Sequence, residues 1–288
     1  MARGAAAVQR LVRTCERTAR RELVGRPDLL TPELIEPIAR ALQDVTKADF
    51  GLAEPWHWRH PEDEAAAAAE AKAEADEEDQ QKAHDAGASP VKRVAARPNT
   101  PNLLASKPAE TYYYHITETS RYSIGIFILP PGGRIPMHDH PRMCVLSKVL
   151  FGDMNVSSYD WTVPADLDHN RKHGGLADTV DVGATYSEGM TKVLFPHKGN
   201  MHEFYTQAKP TSENGGSLGV GVAILDVILP PYDEGSGRDC TYFVRSQVED
   251  DDASTSLGET ADHTTAFPSS RVFLEPAEPE DFYVENLN

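Results

Sequence analysis

The chain has 288 residues, with 45 acidic against 28 basic side chains and a net charge of −17. So acidic a surface repels phosphate backbones and anionic headgroups, which argues against non-specific binding to nucleic acid or membrane. No apolar run reaches the roughly 20 residues that span a bilayer, no apolar signal core follows Met1, and the three cysteines (Cys15, Cys144, Cys240) form no CxxC, which favours a reducing compartment over a disulfide scaffold.

Residues 5–24 read as a basic amphipathic helix. Val8, Leu11, Val12, Cys15 and Ala19 recur at helical spacing, with Arg10, Arg13, Arg17, Arg20 and Arg21 around them. A helix docked on the main domain is one reading and an organelle-targeting segment the other; Glu16 and Glu22 weigh against the second, because such segments are poor in acids. A second helix follows, with Thr31 as its cap, Pro32 at the first position and Glu33 in the first turn. Its apolar stripe is Leu34, Ile35, Ile38, Ala41, Leu42 and Val45, and Pro37 predicts a kink or a restart.

The Ala/Glu-rich residues 62–84 offer no apolar stripe beyond alanine. Together with Pro90, Pro98, Pro101 and Pro108 they read as an insertion and linker. The pattern then changes to short β-like runs separated by Gly, Pro and Asn: Tyr122–Leu129, Cys144–Phe151, Asn155–Tyr159, Thr191–Phe195, His202–Tyr205 and Gly219–Leu229. Many short strands without interleaved helices predict an all-β sandwich or barrel. The run from Asp250 to about Thr265 reads as an exposed loop.

The sharpest chemical signal is PMHDHP, residues 136–141. Residues two apart on a strand face one side, so His138 and His140 can reach one ion while Asp139 faces away. Gly132 and Gly152 bracket the pair as in the first cupin motif, but the position of that motif's glutamate is Val145, which cannot ligate. PHKGNMH approximates the second cupin motif and supplies His202. Three imidazoles would leave positions open on a metal for substrate and oxygen. The alternatives are ordinary surface histidines or a closed zinc site, although no cysteine has finger-like spacing to these residues. His115, His169, His173, His197 and His263 lack the spacing.

Asp226 is the second signal. One face of its strand reads Val220, Val222, Ile224, Asp226, Ile228. An acid on an apolar face is costly unless paired, so it meets a ligand or a bonded partner, or else it sits at a strand end near water. Pattern alone leaves both open.

At this point SIGIFILPPGGRIPMHDHPRMCVLSKVLFGDMNVSSYDW, followed by LDVILPPYDEGSGRDCTYF, resembles the cysteamine dioxygenase and plant cysteine oxidase family, over roughly residues 111–245. The start (VQRLVRTCERTARRE) and the end (VFLEPAEPEDFYVE) are more similar to the animal branch, and KVLFGDMNVSSYDW to the plant branch; the Ala/Glu insertion matches neither. The resemblance implies a cupin-type double-stranded β-helix (jelly-roll) barrel with N-terminal helices, and Fe(II) on His138, His140 and His202. It implies O2-dependent oxidation of cysteamine, or of an N-terminal cysteine of a protein or peptide, to the sulfinic acid, which would sense oxygen through an arginine-linked degradation route. Asp226 and Tyr232 would line the site, and Cys240 with Tyr242 matches a pair that forms a thioether in animal members. The expected division is 1–52 helical extension, 53–110 insertion and linker, and 111–288 catalytic domain, in a cytoplasmic or also nuclear monomer. The rival functions are a non-redox metal cupin, isomerase or hydrolase, and a cupin that binds a ligand as a regulator.

Overall fold

The computed structural model describes residues 4–52, 57–58, 111–207, 219–247, 271–279 and 282–287. The Ala/Glu segment, the linker after it and the polar run 250–265 lie outside the described residues.

Helix α1 (Gly4–Thr18) buries Ala7, Leu11 and Cys15, with Ala19 just beyond its end. Arg121 donates to the carbonyls of Glu16 and Ala19 at 3.2 and 2.9 Å, meeting acceptors that a helix C-terminus leaves unpaired. In α2 (Pro32–Gln43) the Thr31 hydroxyl accepts from the Leu34 N–H at 3.3 Å, and Pro32 opens the helix. The restart expected at Pro37 does not occur: α2 runs unbroken through it. Glu33 and Pro37 are both exposed, so water can meet the carbonyl that the proline leaves without a donor. Ile35, Ile38, Ala41, Leu42 and Val45 form the buried stripe.

Among the described residues the strands form two six-stranded sheets and a minor pair. The first sheet contains β2 (Thr111–Glu118), β3 (Ser123–Leu129), β5 (Cys144–Phe151), β8 (Thr191–Leu194), β11 (Val222–Leu229) and β14 (Val284–Asn286), in the order β14-β2-β3-β11-β5-β8. The second contains β4 (Arg134–His138), β6 (Asp153–Trp161), β7 (Gly175–Ser187), β9 (Met201–Tyr205), β12 (Phe243–Gln247) and β13 (Arg271–Pro276), in the order β12-β13-β7-β6-β9-β4. Strands β1 (His57–Trp58) and β10 (Gly219–Val220) pair with each other. An antiparallel bridge between His138 and Tyr242 ties the β4 edge of the second sheet to the approach to β12, so that sheet nearly closes on itself. The chain is an all-β double-stranded β-helix of the cupin jelly-roll type, with helices at its N-terminus. A third helix, α3 (Leu167–His173), joins β6 to β7 and was not expected from the sequence.

Strand β11 shows how the pattern builds the core. Ala223, Leu225, Val227 and Leu229 pack outward with the apolar stripes of α1 and α2. Val222 and Ile224 pack inward with Leu129, Val149, Val156 and Phe204, and Ile228 packs with Met143, Val145 and Leu194. Lys148 of β5 carries its ammonium under the end of α2. It donates to the carbonyls of Leu42, Gln43 and Val45 at 3.4, 2.7 and 2.7 Å. On β3, a β-carbon at position 125 would collide with the Tyr113 hydroxyl, so glycine there makes room for that ring.

Candidate metal centre

His138 is the last residue of β4, His140 lies just beyond it, and His202 sits in β9. The β4–β9 ladder sets His138 opposite His202. The Asn200 side chain then turns the loop that follows: its Oδ1 accepts from the His140 backbone N–H at 3.0 Å, and its amide reaches the Phe195 carbonyl at 3.2 Å. All three imidazoles are buried, at 6, 4 and 1% exposure, which removes the surface-histidine alternative.

The nitrogens converge. Nε2 of His202 lies 3.1 Å from Nε2 of His140 and 3.2 Å from Nε2 of His138. Their tautomers follow from the partners behind them. His138 Nδ1 donates to the Pro136 carbonyl at 2.8 Å. The Tyr232 hydroxyl donates to the Asp139 carbonyl at 2.9 Å, so it accepts from His140 Nδ1, 2.7 Å away. Both rings therefore present Nε2 lone pairs to the cluster. The Nδ1 of His202 is buried with no partner among the described residues. Burial drives the three toward the neutral form that binds metals: His138 down to about 4, and His140 and His202, where neighbouring rings add to the effect, well below the usual histidine range.

Converging lone pairs repel one another unless a cation lies between them, so the residues fit a metal ion. His138, His140 and His202 are the one group of metal-binding side chains among the described residues, and no cysteine or carboxylate joins them. A closed structural zinc site would need a fourth protein ligand. Val145, at the position of the absent glutamate, is fully buried against Met143, Leu194 and Ile228.

The other expected residues fall in two places. Cys240 lies in hydrogen-bonding contact with the hydroxyls of Tyr232 and Tyr242, and burial pushes its thiol up to about 12. Tyr242 faces His138 with ring centroids 6.1 Å apart. Asp226 lies inside the barrel, 5% exposed, opposite Gly125 on β3 and Ser147 on β5. The alternative of a strand end near water does not hold for it. Ser147 bonds the carboxyl group, Oδ1 has no partner among the described residues, and burial raises the acid to about 7 against the pull of that bond.

Asn200 and Arg171 escaped sequence reasoning. In the sequence Asn200 is one of two residues between Gly199 and His202, and Arg171 lies in a stretch without a motif. Asp139 does face away from the imidazoles, and there it meets Arg171 Nε at 2.8 Å.

The PCO_ADO family model matches residues 78–288. Among curated relatives, the chain is 38% identical to "Plant cysteine oxidase 1" of Arabidopsis thaliana, over 63% of this chain and 58% of that protein. It is 34% identical to "Probable 2-aminoethanethiol dioxygenase" of Dictyostelium discoideum, over 51% of this chain and 63% of that one. It is 30% identical to "2-aminoethanethiol dioxygenase" of Homo sapiens, over 72% of this chain and 74% of that one. The matched stretches thus span less than two thirds of the Arabidopsis and Dictyostelium proteins' own lengths.

Proposed function

The chain belongs to the PCO_ADO family, and from that premise we propose that it is an iron(II)-dependent dioxygenase oxidising the thiol of a 2-aminothiol to a sulfinic acid with O2. The observation that carries the proposal is the buried cluster of three neutral imidazoles with no fourth protein ligand among the described residues. Nitrogen donors with open positions suit a redox-active ion, and His138, His140 and His202 would hold it. Bound iron(II) would supply the electron that makes ground-state O2 reactive, which redox-inert zinc cannot do.

The overall reaction balances as R–SH plus O2 giving R–SO2H, with both oxygen atoms on sulfur. The chain's own groups prepare it. The Pro136 carbonyl and the Tyr232 hydroxyl aim two imidazoles by fixing their tautomers. Asp226 offers a carboxyl oxygen with no partner among the described residues, on an otherwise apolar interior face, suited to a substrate ammonium. Leu129, Val149, Phe204 and Ile224 keep that interior apolar, which strengthens any charge contact made there.

The relatives' names support the substrate class, since 2-aminoethanethiol and cysteine share an amine two carbons from a thiol. A free aminothiol and an N-terminal cysteine of a protein both present that unit, and the second would make the enzyme an oxygen sensor acting on protein stability. The test is mass spectrometry of cysteamine and of a Cys-initiated peptide after incubation with iron-loaded protein, with and without O2. A mass gain of two oxygens, absent without O2, is expected. Acetylating the peptide's N-terminus should slow oxidation at least about tenfold, because the amine can no longer be held beside the thiol. Equal rates for the acetylated peptide would sink the aminothiol requirement, and turnover without O2 would point to the non-redox cupin alternative.

A further inference from the structure

Helix α3 grips both segments that flank the three imidazoles of the cluster. Arg171, with a side chain 9% exposed, is the centre of that grip. Its Nε donates to Asp139 Oδ2 at 2.8 Å. One terminal nitrogen reaches Thr241 Oγ1 at 2.7 Å and the Asp239 carbonyl at 2.5 Å. The other reaches the Gly237 carbonyl at 3.3 Å. Asp139, fully buried between His138 and His140, accepts through its second oxygen from the Thr241 N–H at 3.0 Å. Its own N–H donates to the Thr241 carbonyl at 3.1 Å. Thr241 stands between Cys240 and Tyr242. Arg142, two residues past His140 and held at a left-handed φ of 60°, donates to both carboxylate oxygens of Asp168 on the same helix.

We propose that Arg171 is a positioning residue: through Asp139 and the 237–241 segment it sets where His138 and His140 stand relative to Cys240 and Tyr242. A guanidinium presents its donors in a rigid planar fork, so bonding Asp139 and the 237–241 segment at once fixes their relative placement. An ammonium is a single point charge on a flexible stem. It could neutralise Asp139 without holding the loop in register. Arg171 thus touches neither substrate nor metal and acts through the backbone on either side of the imidazoles. Its effect on turnover rests on the dioxygenase reading; its effect on the metal does not.

The discriminating variant is Arg171→Lys, since Arg171→Ala would strand a buried carboxylate and risk unfolding. Full-length proteins are loaded anaerobically with Fe(II), and the rate at which a chelator strips the iron is followed by absorbance. Melting temperature, and kcat and KM for the aminothiol with O2, are measured alongside. Arg171→Lys should keep about one iron and melt within a few degrees of the parent. It should lose iron roughly tenfold faster, with kcat down by a similar factor and KM little changed, the size expected when a group supporting metal ligands is altered. Lys148→Met, which weakens the fold from the far side of the first sheet, controls for stability alone. Parental release rate and kcat in Arg171→Lys overturn the proposal, as do equal losses in Lys148→Met. If the parent oxidises no aminothiol, the functional reading fails, and the release rates still decide the role of Arg171.

Discussion

Each imidazole turns a nitrogen toward the other two, with no further partner for it among the described residues, so removing one should be felt at the metal before it is felt in the fold. His138→Ala, His140→Ala and His202→Ala are expected to drop bound iron well below the parental level of about one per chain, read by elemental analysis. Full retention by all three would eliminate the site. Asp226→Asn should instead keep iron while turnover falls at least about tenfold, since the amide preserves shape and removes the charge. The same variant carries a pH signature. Burial raises the folded-state acid to about 7, whereas an unfolded Asp titrates near 3.9. Between those values the folded chain holds a proton that the unfolded chain has lost, so the parent loses stability as pH rises through that window. Urea midpoints of Asp226→Asn should therefore fall less than the parent's between about pH 4 and 7. Parallel curves would mean that Asp226 does not titrate there.

Among the elements, legibility followed burial. Strand β11 was readable because its two faces meet different apolar neighbours. The longest strand, β7, was missed: Val180 and Val182 are 42 and 68% exposed, so its apolar residues trace no buried face. Helix α3 is seven residues long, too short to display a period, and is tied by ion pairs instead. The site divides in the same way. His138 and His140 stand out through their two-residue spacing in the sequence, whereas Asn200 acts on His140 from 60 positions away and Arg171 on Asp139 from 32. Such contacts exist only once the sheets are assembled. Lys148 offers a test at this scale. Lys148→Met retains the stem but leaves three carbonyls at the end of α2 without their donor, a loss of about 1–3 kcal/mol. The urea midpoint should fall while iron content stays parental, because the side chain lies on the face opposite the imidazoles. A loss of iron would mean that the helices and the interior are coupled.

For the whole molecule, the ion would join the end of β4 to β9, and the His138–Tyr242 bridge carries that junction to the approach to β12. Metal should accordingly stabilise the native state as any selective ligand does, by about 2.7 kcal/mol when free ion exceeds its dissociation constant a hundredfold. Calorimetry with increasing chelator should lower the melting temperature progressively, and a melting temperature indifferent to iron would separate the centre from the fold. Among the described residues no helix is long and apolar enough to cross a membrane.

The tyrosine that occupies the space over Gly125 has a historical corollary. A β-carbon there would strike the outer end of the Tyr113 ring, so enlarging position 125 requires that ring to move or to shrink. A lineage that shrinks the tyrosine first can enlarge the glycine freely, whereas the reverse order forces the ring out of its place. Positions 113 and 125 should then drift as a linked pair across descendants of this chain, each recording what the other has allowed.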